Sequence, residues 1–275
     1  MIPFMKLAGS GNDFILIDNR RASIAATRLK RLAVQLCRRR WSVGADGLIV
    51  IESSSRADFK WRFFNADGSR AGFCGNGARC AARFAHVKKI ARRHMVFETR
   101  VGLITAEVIS SRGERVKVRM PNPKSLQLDM KIPIDGRKQT AHFVDTGVPH
   151  CVYVVDDLIN ADVNGLGSTT RNHRLFHPLG TNVCFINVLN THRIRIRTYE
   201  RGVEGETLAC GTGSIAAVVI ANKLGAVTSP VTVIPASGRP LSVSFMVEDG
   251  MYREVFLEGD ARVIYDGHIR PDALD

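Results

Sequence analysis

Three scarcities narrow the field before any motif is read. No apolar run reaches the roughly 18 residues that span a bilayer as a helix; the longest candidate, Ser214 to Val227, is interrupted by Asn222 and Lys223. Aromatic residues make up 7% of the chain, and no aromatic-rich strand offers a stacking platform for single-stranded nucleic acid. There is no CxxC pair, and Cys74 and Cys80 stand further apart than the usual zinc-ligand spacing, so no structural metal is expected. The beginning, MIPFMKLAGSGNDF, lacks a basic segment followed by a sustained apolar stretch, which predicts a cytoplasmic protein without a membrane partner.

What the chain does contain is folded-protein composition: 275 residues, 45% hydrophobic and 24% charged, enough for one large domain or two of ordinary size. Six cysteines (37, 74, 80, 151, 184, 210) spread over this length read as thiols and not as a disulfide framework. The net charge of +13 comes largely from Arg28, Lys30, Arg31, Arg38, Arg39 and Arg40 and from Lys88, Lys89, Arg92 and Arg93. Such charge attracts nucleic acid, anionic surfaces or acidic metabolites. Leu29, Leu32, Ala33 and Leu36 fall at helical spacing, so the first basic run reads as the solvated face of a helix.

Short β-type runs alternate with helical stretches. Phe14–Ile17, Leu48–Ile51, Lys60–Phe64, Leu103–Ile109, Val116–Met120, Cys151–Val155, Val183–Val188 and Arg193–Tyr199 read as strands. Pro121-Asn-Pro-Lys marks a domain break after the fifth of these. An internal echo organises the whole. Cys74-Gly-Asn-Gly-Ala78 recurs as Cys210-Gly-Thr-Gly-Ser214, each after a strand with a polar end and each running into an apolar helical pattern. Two such repeats half a chain apart predict duplicated domains, each with a buried central helix.

A glycine-rich turn opening a helix leaves backbone N–H groups unpaired, and with the helix dipole they favour an anion. A cysteine there is expected to ionise below the usual value of about 8.5, and the same donors suit a carboxylate. Two such turns facing one α-carbon define a reaction. One thiolate removes the α-proton, the opposite thiol delivers another, and the centre inverts, while N–H donors hold the developing negative charge. The competing reading makes Cys74 and Cys210 small apolar residues capping buried helices; Cys37, Cys80, Cys151 and Cys184 lack the turn context and read as structural. Gly211-Thr-Gly-Ser-Ile-Ala216 fits a loose dinucleotide fingerprint, but no buried strand precedes it and no acidic residue follows about 20 positions on; neither turn continues as a P-loop.

With GSGNDF (9–14), FNADGSRAGFCGNGARC (64–80), TGVPH (146–150), GTN (180–182) and YERGVEGETLACGTG (199–213), the chain closely resembles the diaminopimelate epimerases over nearly its whole length. The resemblance implies an α/β fold of two similar, pseudo-symmetric domains, each a sheet wrapped around a central helix, with the active site between them. It places the N-terminal domain at 1–120 plus 263–275 and the C-terminal domain at 121–262. It implies interconversion of LL- and meso-diaminopimelate in lysine and peptidoglycan synthesis, with no cofactor and no metal. Cys74 and Cys210 match the catalytic bases, and Gly75, Asn76, Gly211 and Thr212 the turns around the reacting carboxylate. Asn12, Asn65, Asn182, Glu200 and Arg201 match substrate-binding positions, and His150 a supporting histidine. Val148 and Gly47 depart from common forms of the motif, where Asn and Gln are often found. Racemisation of another amino acid such as histidine stays open within the same superfamily, with proline racemases and hydroxyproline epimerases more distant. A basic nucleic-acid binder and a non-catalytic relative are the rivals from other classes. The expected partner is a small amino-acid substrate; a homodimer is compatible, and two facing thiols predict sensitivity to oxidants.

Overall fold

The computed structural model describes residues 1–274. In chain order the elements are β1 (Ile2–Gly9), β2 (Asn12–Asp18), α1 (Leu29–Cys37), β3 (Gly47–Glu52), β4 (Phe59–Asn65), α2 (Gly75–Val87), β5 (His94–Thr99), β6 (Gly102–Val108), β7 (Arg115–Arg119), β8 (Lys124–Ile134), β9 (Arg137–Asp145), β10 (Pro149–Val154), α3 (Gly165–Arg171), β11 (Asn182–Asn190), β12 (Arg193–Glu200), β13 (Gly205–Thr207), α4 (Gly211–Lys223), β14 (Val231–Ile234), β15 (Leu241–Glu248), β16 (Met251–Asp260) and β17 (Arg262–Ile269). They divide into two compact units, Met1–Arg119 with Glu258–Asp275, and Met120–Leu257.

In the first unit β1 pairs antiparallel with β2 and with β17. The β1–β2 hairpin turns on Ser10 and Gly11, both at positive φ (50° and 101°), the two-residue turn whose twist matches that of its strands. β2 then runs parallel to β3, a crossover carried by α1, and β3 pairs antiparallel with β4. A second parallel step, β4 to β5, is carried by α2, and β5 and β6 pair antiparallel. Parallel neighbours need such a helical crossover because a tight turn cannot reverse the chain twice.

The second unit repeats this path. β9 and β10 pair antiparallel, and β10 runs parallel to β11 across α3. β11 pairs antiparallel with β12, β12 runs parallel to β14 across α4, and β14 pairs antiparallel with β15. The internal echo in the sequence is thus a repeated topology: antiparallel, parallel, antiparallel, parallel, antiparallel.

Each unit wraps its strands around the second of its helices. Helix α2 packs on β1, β2, β3, β6, β7 and β17, and α4 on β9, β10, β11, β12, β14 and β15. Seven consecutive apolar residues, Ile215 to Ala221, are all buried in α4, as a helix enclosed on every side requires. In α2 the buried set includes Ala78, Cys80, Ala81, Ala82, Phe84 and Ala85 but also Arg79, a charge that the apolar reading of this helix did not anticipate. The basic run at 28–40 is as expected: Leu29, Leu32, Ala33 and Leu36 face the core and Lys30 and Arg31 face water. Among the described residues no helix is long and apolar enough to cross a membrane.

Candidate active site

Cys74 is the N-cap residue of α2 and Cys210 that of α4. Both have extended backbone, and each sulfur accepts from the N–H three residues on: Gly77 to Cys74 at 3.5 Å and Gly213 to Cys210 at 3.4 Å. A thiol here takes the place that Ser, Thr, Asp or Asn fills in most helix N-caps. The two turns are therefore built alike, one in each unit, with sulfur at the positive end of a buried helix. All six cysteines are thiols.

Their surroundings differ. Cys74 is half-buried, whereas Cys210 is buried, with Thr212 Oγ1 at 3.4 Å from its sulfur. Burial pushes the Cys210 thiol well above its ordinary value. The Glu200 carboxylate and Cys184 push it further, and Thr212 and the Gly213 N–H pull it back only in part. The expected easier ionisation is thus overturned at Cys210, because removing the sulfur from water outweighs the helix-end donors.

In the first unit the turn joins a polar chain. Asn76 Nδ2 donates to Asn12 Oδ1 at 2.7 Å, and Asn12 Nδ2 donates to Asp46 Oδ2 at 3.0 Å. Asp46 and Asp13 share the exposed Arg39 guanidinium, and Asp13 also pairs with the buried Lys6. Asn65 stands apart from this chain at the exposed end of β4, where its Nδ2 donates to Ser69 Oγ at 2.9 Å. Gly47, its register partner, has no room for a side chain: a Cβ would lie 2.6 Å from Phe63 and 2.7 Å from the Phe64 carbonyl.

In the second unit His150 and Asn182 are side by side on the parallel strands β10 and β11. Asn182 Nδ2 donates to the Pro149 carbonyl at 3.1 Å, and its Oδ1 accepts from the Arg201 N–H at 2.9 Å. This ties the end of β12, with Glu200 and Arg201, to the start of β11. Thr207 donates to Glu200 at 3.0 Å, and burial pushes that carboxyl up. Arg201 Nη1 donates to the Leu179 carbonyl at 3.1 Å, and Thr146 donates to the Thr212 carbonyl at 3.1 Å. His150 is buried with Nδ1 3.5 Å from Cys184 Sγ. Burial, and then the Arg201 charge, push the imidazole down to about 3, so it is neutral. Val148 offers its backbone, accepting from Thr146 N–H at 3.1 Å.

Sequence reasoning passed over Ser10, Asp46, Arg79 and Asp260. Arg79 Nη2 donates to both Ser10 Oγ and Asn76 Oδ1 at 2.8 Å, and Asp260 Oδ1 accepts from Ser10 N–H and Oγ. The available signal was an arginine inside the apolar run after Cys74. A concavity of about 1260 Å³ in the first unit, lined in part by β1, β2 and α1, holds none of the site residues. Among the described residues no cluster of three or more His, Cys, Asp or Glu could bind a metal ion.

The family model described as diaminopimelate epimerase matches twice, over residues 4–126 and 142–264. The chain belongs to the diaminopimelate epimerase family. The two matches follow the two structural repeats, and each contains one of the N-cap cysteines. A diaminopimelate epimerase of Hydrogenobaculum is 45% identical, covering 95% of this chain and 96% of its own. That of Aquifex aeolicus is 42% identical over 99% of both chains. In fold, a probable proline racemase from Agrobacterium radiobacter superposes with a TM-score of 0.71 at 16% identity, over 100% of this chain and 96% of that one. Membership extends to an enzymatic activity: relatives at this identity are isomerases.

Proposed function

We propose that this enzyme interconverts LL- and meso-diaminopimelate without a cofactor, with Cys74 and Cys210 as an acid–base pair acting on one α-carbon. The observation that carries the reading is the matched pair of thiols, each capping a buried helix behind a C-G-x-G turn, one in each structural repeat. An α-proton is very weakly acidic, so abstraction demands both a positioned base and donors for the charge left behind. The N–H groups of Gly75, Asn76, Gly211 and Thr212 are of the kind that serves this purpose at a helix start. A single base tends to return its proton to the face it came from; inversion requires a second group. In this reading Cys210, kept protonated by burial and by Glu200, is the resting donor. Asn12, Asn65, Asn182, Glu200 and Arg201 hold the substrate: guanidinium suits a carboxylate, and carboxamide and carboxylate oxygens suit an ammonium. We assign the enzyme to lysine and peptidoglycan synthesis in the cytoplasm, a compartment that keeps thiols reduced.

The test is conversion of LL-diaminopimelate by purified enzyme with reductant and no added pyridoxal phosphate, followed by chromatographic separation of the isomers. Meso product is expected, with turnover falling ~10²–10⁴-fold or more in Cys74→Ala and in Cys210→Ala, the range that a positioned acid or base supplies. Val148 favours a second substrate as the alternative, since an apolar side chain stands where a carboxamide is common. Turnover of histidine or another amino acid in place of diaminopimelate would transfer the same two-thiol chemistry to that substrate.

A further inference from the structure

Arg79 is completely buried one turn beyond Cys74, and no carboxylate contacts its guanidinium directly. Nη2 donates at 2.8 Å to Asn76 Oδ1 and at 2.8 Å to Ser10 Oγ, and Nε donates at 3.2 Å to the Asp260 carbonyl; Nη1 has no partner. Its charge is balanced at one remove, through Ser10, whose N–H and hydroxyl donate to Asp260 Oδ1 at 2.9 and 3.0 Å. Removing a guanidinium from water without a direct ion pair is costly. An alkyl side chain would fill such a position at less cost unless the fork had a directional task.

That task is written in the chain Arg79–Asn76–Asn12–Asp46. A carboxamide has nearly the same shape either way round, so a run of two amides between neutral groups can point in either direction. Here one end is a guanidinium, which only donates, and the other a carboxylate, which only accepts. Asn76 must offer Oδ1 to Arg79, hence Nδ2 to Asn12; Asn12 must receive it on Oδ1, hence offer Nδ2 to Asp46. Reversal would set N–H against N–H at one end and oxygen against oxygen at the other, and the Arg79 end is buried, where a mismatch is poorly screened. The same Nη2 holds the Ser10–Gly11 turn, from which Asn12 starts β2. The left-handed Ser10, an unusual conformation for a residue with a side chain, is thereby tied down on both sides of its hydroxyl.

We propose that Arg79 and Asp46 are the two fixed ends of a hydrogen-bond chain that sets which way the carboxamides of Asn76 and Asn12 point, Arg79 being a positioning residue for the substrate-binding face of the first unit. The chain leaves each amide one N–H and one oxygen lone pair for a ligand, in a known orientation. Lysine cannot take over this role, because the three bonds spread from two nitrogens of one plane. That these amides meet substrate rests on the function proposed above; that they are locked does not.

The experiment separates the two. In the ligand-free full chain labelled with ¹⁵N-asparagine, side-chain NH₂ exchange is followed by NMR, with Asn19 as internal reference. Asn19 is buried in the same unit and donates to the Ile24 carbonyl at 3.0 Å. Arg79→Lys is expected to speed exchange at Asn76 and Asn12 at least tenfold and leave Asn19 unchanged. In the same variant kcat/KM for diaminopimelate should fall at least tenfold, chiefly through KM, since these contacts hold substrate and transition state alike. Unchanged exchange at Asn76 and Asn12 would overturn the proposal. So would an equal rise at Asn19, which would mean that Arg79 only supports the unit, or full retention of both readouts in the lysine variant. If Arg79→Lys does not fold, Asp46→Asn loosens the other end and is read in the same way at Asn12. A wild-type enzyme inactive toward diaminopimelate would remove the proposed substrate but leave the exchange result to decide on the lock.

Discussion

At Cys74 and Cys210 a sulfur does the capping that an oxygen does elsewhere, and around Cys210 the balance of forces can be read atom by atom. Two donors favour its thiolate, while burial and the nearby Glu200 oppose it; the opposition wins. His150, 3.5 Å from Cys184, obeys the same rule with the opposite sign. Its folded-state value of about 3 lies below the ordinary 6.5. Between those values the unfolded chain binds a proton that the native state refuses, so this contribution to stability is complete above pH 6.5 and is lost as pH falls toward 3. The cost of His150→Gln, measured by urea denaturation, should therefore be largest near pH 7 and shrink on acidification, by up to about 1.4 kcal/mol per pH unit. A cost independent of pH would show that His150 is not held neutral. The two cysteine-capped helix starts were legible because Cys-Gly-x-Gly is a local pattern. Arg79, Ser10 and Asp260 were not, because their partners lie 69, 181 and 250 positions away and nothing local distinguishes a buried arginine from one on a wet helix face.

Among the elements, the strands rich in β-branched residues, β3 and β11, and the alternating β12 were readable from sequence, and so was the amphipathic α1. Strand β8 was not: Ser125 and Asp129 adopt positive φ, the register slips twice, and most of its residues are at least partly exposed. Helix α3 was missed as well, a seven-residue Gly-Leu-Gly-Ser-Thr-Thr-Arg whose start is held by Asp162, which accepts from the Gly165 and Leu166 N–H groups. The two N-cap turns look interchangeable in sequence but are not equally tight. A Cβ on Gly213 would stand 3.0 Å from Cys184 Sγ and 3.3 Å from Cys210 Sγ, whereas one on Gly77 would meet the end of Ile49 at 3.3 Å and Cys74 Cβ at 3.6 Å. Gly213→Ala should displace the Cys210 sulfur and lower kcat/KM by ~10-fold or more, since displacements of about 1 Å can cost ~10²-fold. Gly77→Ala should stay within a few-fold of wild type, as a flexible isoleucine terminus gives way. Steady-state kinetics with melting curves as a folding control would show it, and equal losses would contradict the packing argument.

Over the whole chain the duplication was the most legible feature, because the two Cys-Gly-x-Gly turns lie 136 positions apart (210 minus 74) and a single family model matches both halves. The repeat of parallel and antiparallel steps in each unit gives that echo its physical form. The basic residues divide by setting: Arg39 is paired with Asp13 and Asp46, Lys30 and Arg31 face water on α1, and Arg79 is buried. In the proposed mechanism one thiol from each repeat serves the same carbon. The most direct test is the fate of the proton in the opening moments of reaction in D₂O, with LL-diaminopimelate as substrate and proton NMR as readout. Two bases predict that the first meso product carries solvent deuterium at the inverted carbon while the remaining LL substrate keeps its α-proton. Early product that retains the substrate's proton, with substrate exchanging as fast as it converts, would mean one base working on both faces and would contradict the pairing of Cys74 with Cys210.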